Sequence, residues 1–129
     1  MIRLALLALA CSSLPALAQV GPRLCTDLAL TLETNHSGGM RVVTGTLRNL
    51  GGNAFASPAA SAIRVVWHGE NGQTLDFPLP GSLAVGAQVS QVLGMWPDAM
   101  HGTLHATLQL AQGATPDCNR ANNGQRLAL

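Results

Sequence analysis

"HGTLHATLQL", His101 to Leu110, decides how this chain folds. On a helix, His101 and His105 share a face one turn apart and can chelate one ion. On a strand they point the same way but stand roughly 13 Å apart, at about 3.3 Å per residue, and one ion cannot take both. Gly102, the β-branched Thr103 and Thr107, and the regular return of Leu104, Ala106, Leu108 and Leu110 at every second position favour the strand.

The same period of two recurs outward from this segment, and no stretch sustains a helical period. "DLALTLET" aligns Leu28, Leu30 and Leu32. "MRVVTGTLRNL" aligns Val43, Gly45 and Leu47, "AIRVVW" aligns Ile63, Val65 and Trp67, and "TLDFPL" aligns Leu75, Phe77 and Leu79. "QVSQVLGM" alternates less cleanly, and "GQRLAL" closes the chain. Turn clusters separate these runs: "NHSGG", "NLGGNAFASPAA", "GENG", "PLPGS", "WPDAMHG" and "ATPDCNRANNG". About seven short strands at this spacing predict an all-β, antiparallel β-sandwich. At "GENG", a two-residue Asn71-Gly72 turn would set Trp67 opposite Asp76 and turn Leu75 and Phe77 outward. A three-residue loop, Glu70 to Gly72 with Gly72 left-handed, pairs Trp67 with Leu75 and Val65 with Phe77. Core burial selects the second.

The first residues give an address. "MIRLALLALACSSLPALAQ" carries one positive charge at Arg3, an apolar run from Leu4 to Ala10, and the small-residue motif Ala16-Leu17-Ala18. That order predicts a signal peptide over residues 1–18, cleaved before Gln19, and a domain over 19–129 that is exported to the periplasm or beyond the cell. The apolar run is far short of the roughly 20 residues a membrane span needs, and no later stretch is longer. A lipid anchor on Cys11 is a rival reading, with Leu9 one place too close to the cysteine for the usual signal.

The sequence has seven Lys plus Arg against six Asp plus Glu. All seven cations are arginine, Arg3 leaves with the signal, and the balance becomes neutral, which removes any electrostatic basis for binding nucleic acid. Cys25 and Cys118 then remain as an isolated pair. In an oxidising compartment they most simply form one disulfide; free thiols or thiolate metal ligands are the alternatives.

"GTLRNLGG", "LAVGAQVS" and "DCNRANNGQRLAL" together resemble the bacterial cell-adhesion-related domain, CARDB. The family's opening Asp-Leu is matched by Asp27-Leu28. Its hydrophobic-x-Asn-x-Gly step is matched by Leu47, Asn49 and Gly51, and its Leu-x-x-Gly turn by Leu83 and Gly86. Its acidic, asparagine-rich last connection is matched by Asp117, Asn119, Asn122 and Asn123, with Arg120 where the family prefers glutamate. The resemblance spans nearly all of residues 19–129. It implies an immunoglobulin-like or fibronectin III-like sandwich with no general catalytic residues and a role in adhesion. Members usually occur as modules of large surface proteins, whereas this chain reads as one module behind a signal.

Several side chains invite chemistry. Met95, Met100, His101 and His105 crowd one segment, and a site built from Met100, His101 and a distant His36 or His68 would suit copper(I) through soft thioether and imidazole. A small periplasmic copper carrier is therefore the alternative to a binding module. His36 beside Ser37 suggests a hydrolase, but adjacent side chains diverge and no nucleophile elbow surrounds the serine; the pair reads as a hairpin loop. Asp117 and the nearby asparagines offer oxygens for calcium. The twelfth position counted from Asp117 is Ala128, which has no side-chain ligand, so these residues read as turn formers, asparagine tolerating left-handed backbone. Trp67 reads as a core anchor on the third strand, and Trp96, before Pro97, as an exposed contact. The expectation is an exported, non-catalytic interaction module without a cofactor, whose partner is a protein or a component of the cell envelope.

Overall fold

The computed structural model describes residues 25–69 and 71–129. The expected signal peptide, its cleavage site and Cys11 lie outside the described residues. Among the described residues nine strands follow one another: β1 (Leu28–Ser37), β2 (Met40–Asn49), β3 (Phe55–Ala56), β4 (Ala62–His68), β5 (Gln73–Pro78), β6 (Ser82–Leu83), β7 (Gln88–Pro97), β8 (Thr103–Gln109) and β9 (Gly124–Ala128). One 3-10 turn, Arg120–Asn122, precedes β9. The segment around Leu104 is the strand its alternation predicts.

Two main antiparallel sheets form, in the orders β1-β2-β7 and β5-β4-β8-β9, with a small β3-β6 ribbon beside them. Each main sheet is apolar on one face, and those faces share one core in a sandwich-like arrangement. Leu28, Leu30, Val43, Leu47, Leu93 and Trp96 come from the first sheet, and Ile63, Val65, Trp67, Leu104 and Ala106 from the second. Phe55, Leu79 and Leu83 close the core where the ribbon lies. The ribbon was not expected, because a two-residue strand is too short to display a period; its segments "AFAS" and "PGSL" read only as turns.

Two turns differ from their sequence reading. β1 runs on through His36 and Ser37, so the first hairpin turns on Gly38 and Gly39 alone. Both have positive φ, 57° and 76°, as a two-residue turn joining right-twisted strands requires. The β4–β5 hairpin pairs Val65 with Leu75, Ile63 with Phe77 and Trp67 with Gln73, two residues away from the expected register. Asn71, at φ 56°, takes the left-handed position expected of Gly72. A shift of two keeps every side chain on its face. Burial therefore could not choose between these registers, least of all on an edge strand where Leu75 remains 37% exposed.

Asn49 is fully buried at the end of β2 and holds together the pole where β1 begins. Its Nδ2 donates to the carbonyls of Asn53 (2.7 Å) and Leu83 (3.1 Å). Its Oδ1 accepts from the amides of Gly51 (3.0 Å) and Asp27 (3.4 Å). One side chain thus satisfies four backbone groups in three segments. At the same pole Cys25 and Cys118 form a disulfide with the sulfurs 2.01 Å apart, across 93 residues of sequence.

Two outcomes follow in equilibrium urea unfolding. Asn49→Leu leaves buried backbone groups unpaired and is expected to cost about 2–4 kcal/mol, given roughly 1–3 kcal/mol for each group stranded. Paired replacement of Cys25 and Cys118 by serine is expected to cost about 4–5 kcal/mol, the chain-entropy value for so long a loop.

Candidate functional site

The histidines and methionines weighed as copper ligands lie toward the pole that carries the 97–102 connection, yet their side chains have different neighbours. His36, at the end of β1, places Nδ1 3.0 Å from Asp98 Oδ1. His101 is exposed before β8, its Nδ1 3.4 Å from the Leu129 carbonyl. Met100 packs partly buried against the core, while Met95 is 58% exposed on β7. His68, on β4, meets His105, on β8, edge to face with ring centroids 4.6 Å apart. Met100, His101, His36 and His68 are thus not drawn to one point. Among the described residues no group of three or more His, Cys, Asp or Glu side chains is arranged to hold a metal ion.

Trp96 is a correction. Expected as an exposed contact in a turn, it lies within β7, is only 7% exposed, and tilts against Trp67 with centroids 5.7 Å apart. The cause is a β-bulge. Up to Val92 the register pairs Thr44 with Val92, and beyond it Val43 pairs with Gly94, so Leu93 is an extra residue. The insertion reverses the alternation of β7. Val92 stays on the outer face, Leu93 is fully buried, Met95 turns outward and Trp96 turns inward. Glycine supplies the room. A Cβ on Gly45 would stand 2.7 Å from Leu93 Cδ1, and one on Gly94 would stand 2.3 Å from the Trp96 ring.

Below the tryptophans, Arg41 points inward opposite Trp96 and is 9% exposed. Its guanidinium donates to the carbonyls of Pro97 (3.3 Å) and Met100, and its Nε lies 4.0 Å from Asp98 Oδ1. An arginine anchored in this way fixes the 97–102 connection as part of the scaffold.

At the opposite pole the asparagine-rich connection works as turn chemistry. Asp117 is buried; Oδ2 accepts from the Leu28 amide at 3.1 Å and Oδ1 from the Asn119 amide at 2.9 Å. Asn119 Oδ1 accepts from Ala121 at 3.3 Å, and Asn122 Nδ2 donates to Asp27 at 2.7 Å. These asparagines act through hydrogen bonds and not through left-handed backbone, since Asn71 is the one non-glycine of positive φ among the described residues. A cleft of about 630 Å³ opens beside them, lined by Leu110, Ala114, Pro116, Arg120 and Asn123 among others.

The outer faces differ in character. On the four-stranded sheet, Arg64 forms a two-pronged pair with Asp76, both bonds 2.9 Å. The bond from Arg64 holds the Asp76 carboxyl below its ordinary value. The pair is therefore intact at neutral pH, and its small stabilising effect is lost as the pH falls through the folded Asp76 value. On the three-stranded sheet β7 is an edge strand, laddered to β2 alone, and carries Val92 and Met95 on its outer face, exposed at 53% and 58%, while Val89, opposite the buried Leu47 on the inner face, is still 36% exposed at the end of the strand. Val42 stands beside Met95 on the same outer face. This edge is the candidate functional surface. Periodicity could not find it, because the bulge that turns Met95 outward has no signature beyond a weakened alternation. Among the described residues no helix is long and apolar enough to cross a membrane. Comparison with known proteins finds no matching family model, no matching curated protein and no matching solved structure.

Gly102→Ala tests the packing around the tryptophans. A Cβ there would lie 2.6 Å from both the His68 carbonyl and the Trp67 ring. The substitution is expected to cost about 1–3 kcal/mol, as overpacking does, and to change the near-ultraviolet circular dichroism of the tryptophans. A spectrum and an unfolding midpoint equal to wild type would contradict this packing.

Proposed function

We propose that the protein is an exported, non-catalytic interaction module of immunoglobulin-like type, which binds an extended segment of a protein partner along the open edge of β7. The observation that carries the reading is that edge. A ten-residue strand is hydrogen-bonded in a ladder on one side only, and its outer face exposes the apolar Val92 and Met95 beyond the polar Gln88 and Ser90. Strand addition draws affinity from main-chain hydrogen bonds and specificity from alternate side chains. The bulge at Leu93 divides the edge, so the partner pairs with the Gln88–Val92 half and lays its side chains over Val92, Met95 and Val42.

Three further features support the reading. The strand orders β1-β2-β7 and β5-β4-β8-β9 suit an immunoglobulin-like sandwich, and the ribbon adds to its connections. The resemblance to CARDB adds adhesion as the kind of role. Residues 1–18 read as an export signal, which supports a partner in the periplasm or at the cell surface.

Capture from a cell-envelope extract tests the surface, comparing wild type with Val92→Lys combined with Met95→Lys. Wild type is expected to retain a partner that the double variant loses at least tenfold, on the order of the 1.4 kcal/mol or more that a disrupted contact patch costs. Equal retention by the two overturns the β7 assignment. Mass spectrometry of the exported protein is expected to find Gln19 as its first residue.

A further inference from the structure

We propose that His68 and His105 form a two-imidazole site for a late first-row transition ion, with copper(II) as the best fit. The site stands apart from the edge of β7 and does not depend on the interaction reading. The two residues lie on neighbouring antiparallel strands, where Val66 pairs with His105 and His68 with Thr103. This makes the histidines diagonal neighbours on the outer face of the four-stranded sheet, within reach of each other for long or aromatic side chains. Spacing along one strand, which separates His101 from His105, does not reveal such a pair; the β4–β8 register creates it.

The separation of the rings, which edge-to-face contact also gives, is compatible with a shared ion. A metal–nitrogen bond of about 2.0 Å, plus about 1.2 Å from nitrogen to ring centre, puts each centroid ~3.2 Å from the metal. Two such rings at right angles about the ion stand ~4.5 Å apart, and at a tetrahedral angle ~5.2 Å apart. The observed 4.6 Å matches the right angle. Tetragonal geometry with imidazole donors is what copper(II) prefers, and copper(II) also heads the affinity order of the divalent series. The rings now meet edge to face, and rotation about χ2 of the exposed His68 turns a nitrogen toward the shared point. Water completes the coordination on this open face.

The surroundings tune the site in a checkable way. Partial desolvation, then the Arg126 guanidinium and the His68 ring, hold the His105 imidazole below its ordinary value. Arg126 is paired directly with His105 across β8 and β9, and its charge opposes a bound cation. The remaining charged pair on this face, Arg64 with Asp76, is closed on itself. Two donors and an opposing cation give a site of moderate affinity, suited to exchange of the ion and not to permanent storage.

Titration of the purified protein with copper(II), followed by electron paramagnetic resonance, tests the site. One ion per chain is expected, at a dissociation constant on the order of micromolar, with two nitrogen donors in the spectrum and weaker binding of zinc and nickel. His68→Gln and His105→Gln are each expected to weaken binding at least about tenfold, with circular dichroism unchanged. Arg126→Gln is expected to tighten it, while His36→Gln and His101→Gln leave it as it was. Equal affinity in His68→Gln or His105→Gln overturns the assignment, as does a wild-type spectrum with fewer than two nitrogens, which needs no variant to fold.

Discussion

Two sheets that are each apolar on one face have a stable arrangement only when those faces meet, and the rest of this structure depends on that meeting. Leu28, Leu30, Val43 and Leu47 lie opposite Ile63, Val65, Leu104 and Ala106, and all are essentially removed from water. Burial of this kind stabilises by roughly 25 cal/mol for each Å² of apolar surface and has no direction of its own. It draws the sheets together without saying how their ends are finished.

The ends are finished by polar groups, and the two poles do so differently. At one, Asn49 donates and accepts and Asp117 accepts within the interior, while the Cys25–Cys118 bond joins the first described segment to the last connection. At the other, Arg41 reaches inward to hold the carbonyls of the 97–102 connection, and the two tryptophans lean together above glycines that leave them space. Buried polar groups are costly unless partnered, so each of these residues specifies a particular path for a loop. The resemblance to CARDB rests largely on such residues. Asn49 and Asp117 have a local physical reason to be asparagine and aspartate whatever the protein binds.

With both poles and the core so committed, the side chains left for recognition lie on the outer faces and open edges. The β7 edge offers backbone groups beside apolar side chains, and the four-stranded sheet offers two imidazoles and paired charges. One surface suits an extended polypeptide and the other a small cation.

Much of the fold was legible in the sequence. A side chain returns to the same side of a strand every two residues, so apolar alternation marks β1, β2, β4 and β8 together with their inward faces. A lone pair of cysteines in a chain that reads as exported pointed to the one disulfide. Tertiary structure alone decided what depends on a partner strand. The bulge at Leu93 reverses the alternation of β7 and so puts Trp96 inside and Met95 outside; it forms because Gly45, on the neighbouring strand, leaves room for an extra leucine. The register of β4 on β8 brings His68 to His105 although 37 positions separate them in the chain. Periodicity reports which face a residue takes within its own strand, but which residue it meets on the next strand is set by pairing, and pairing is a property of the folded sheet.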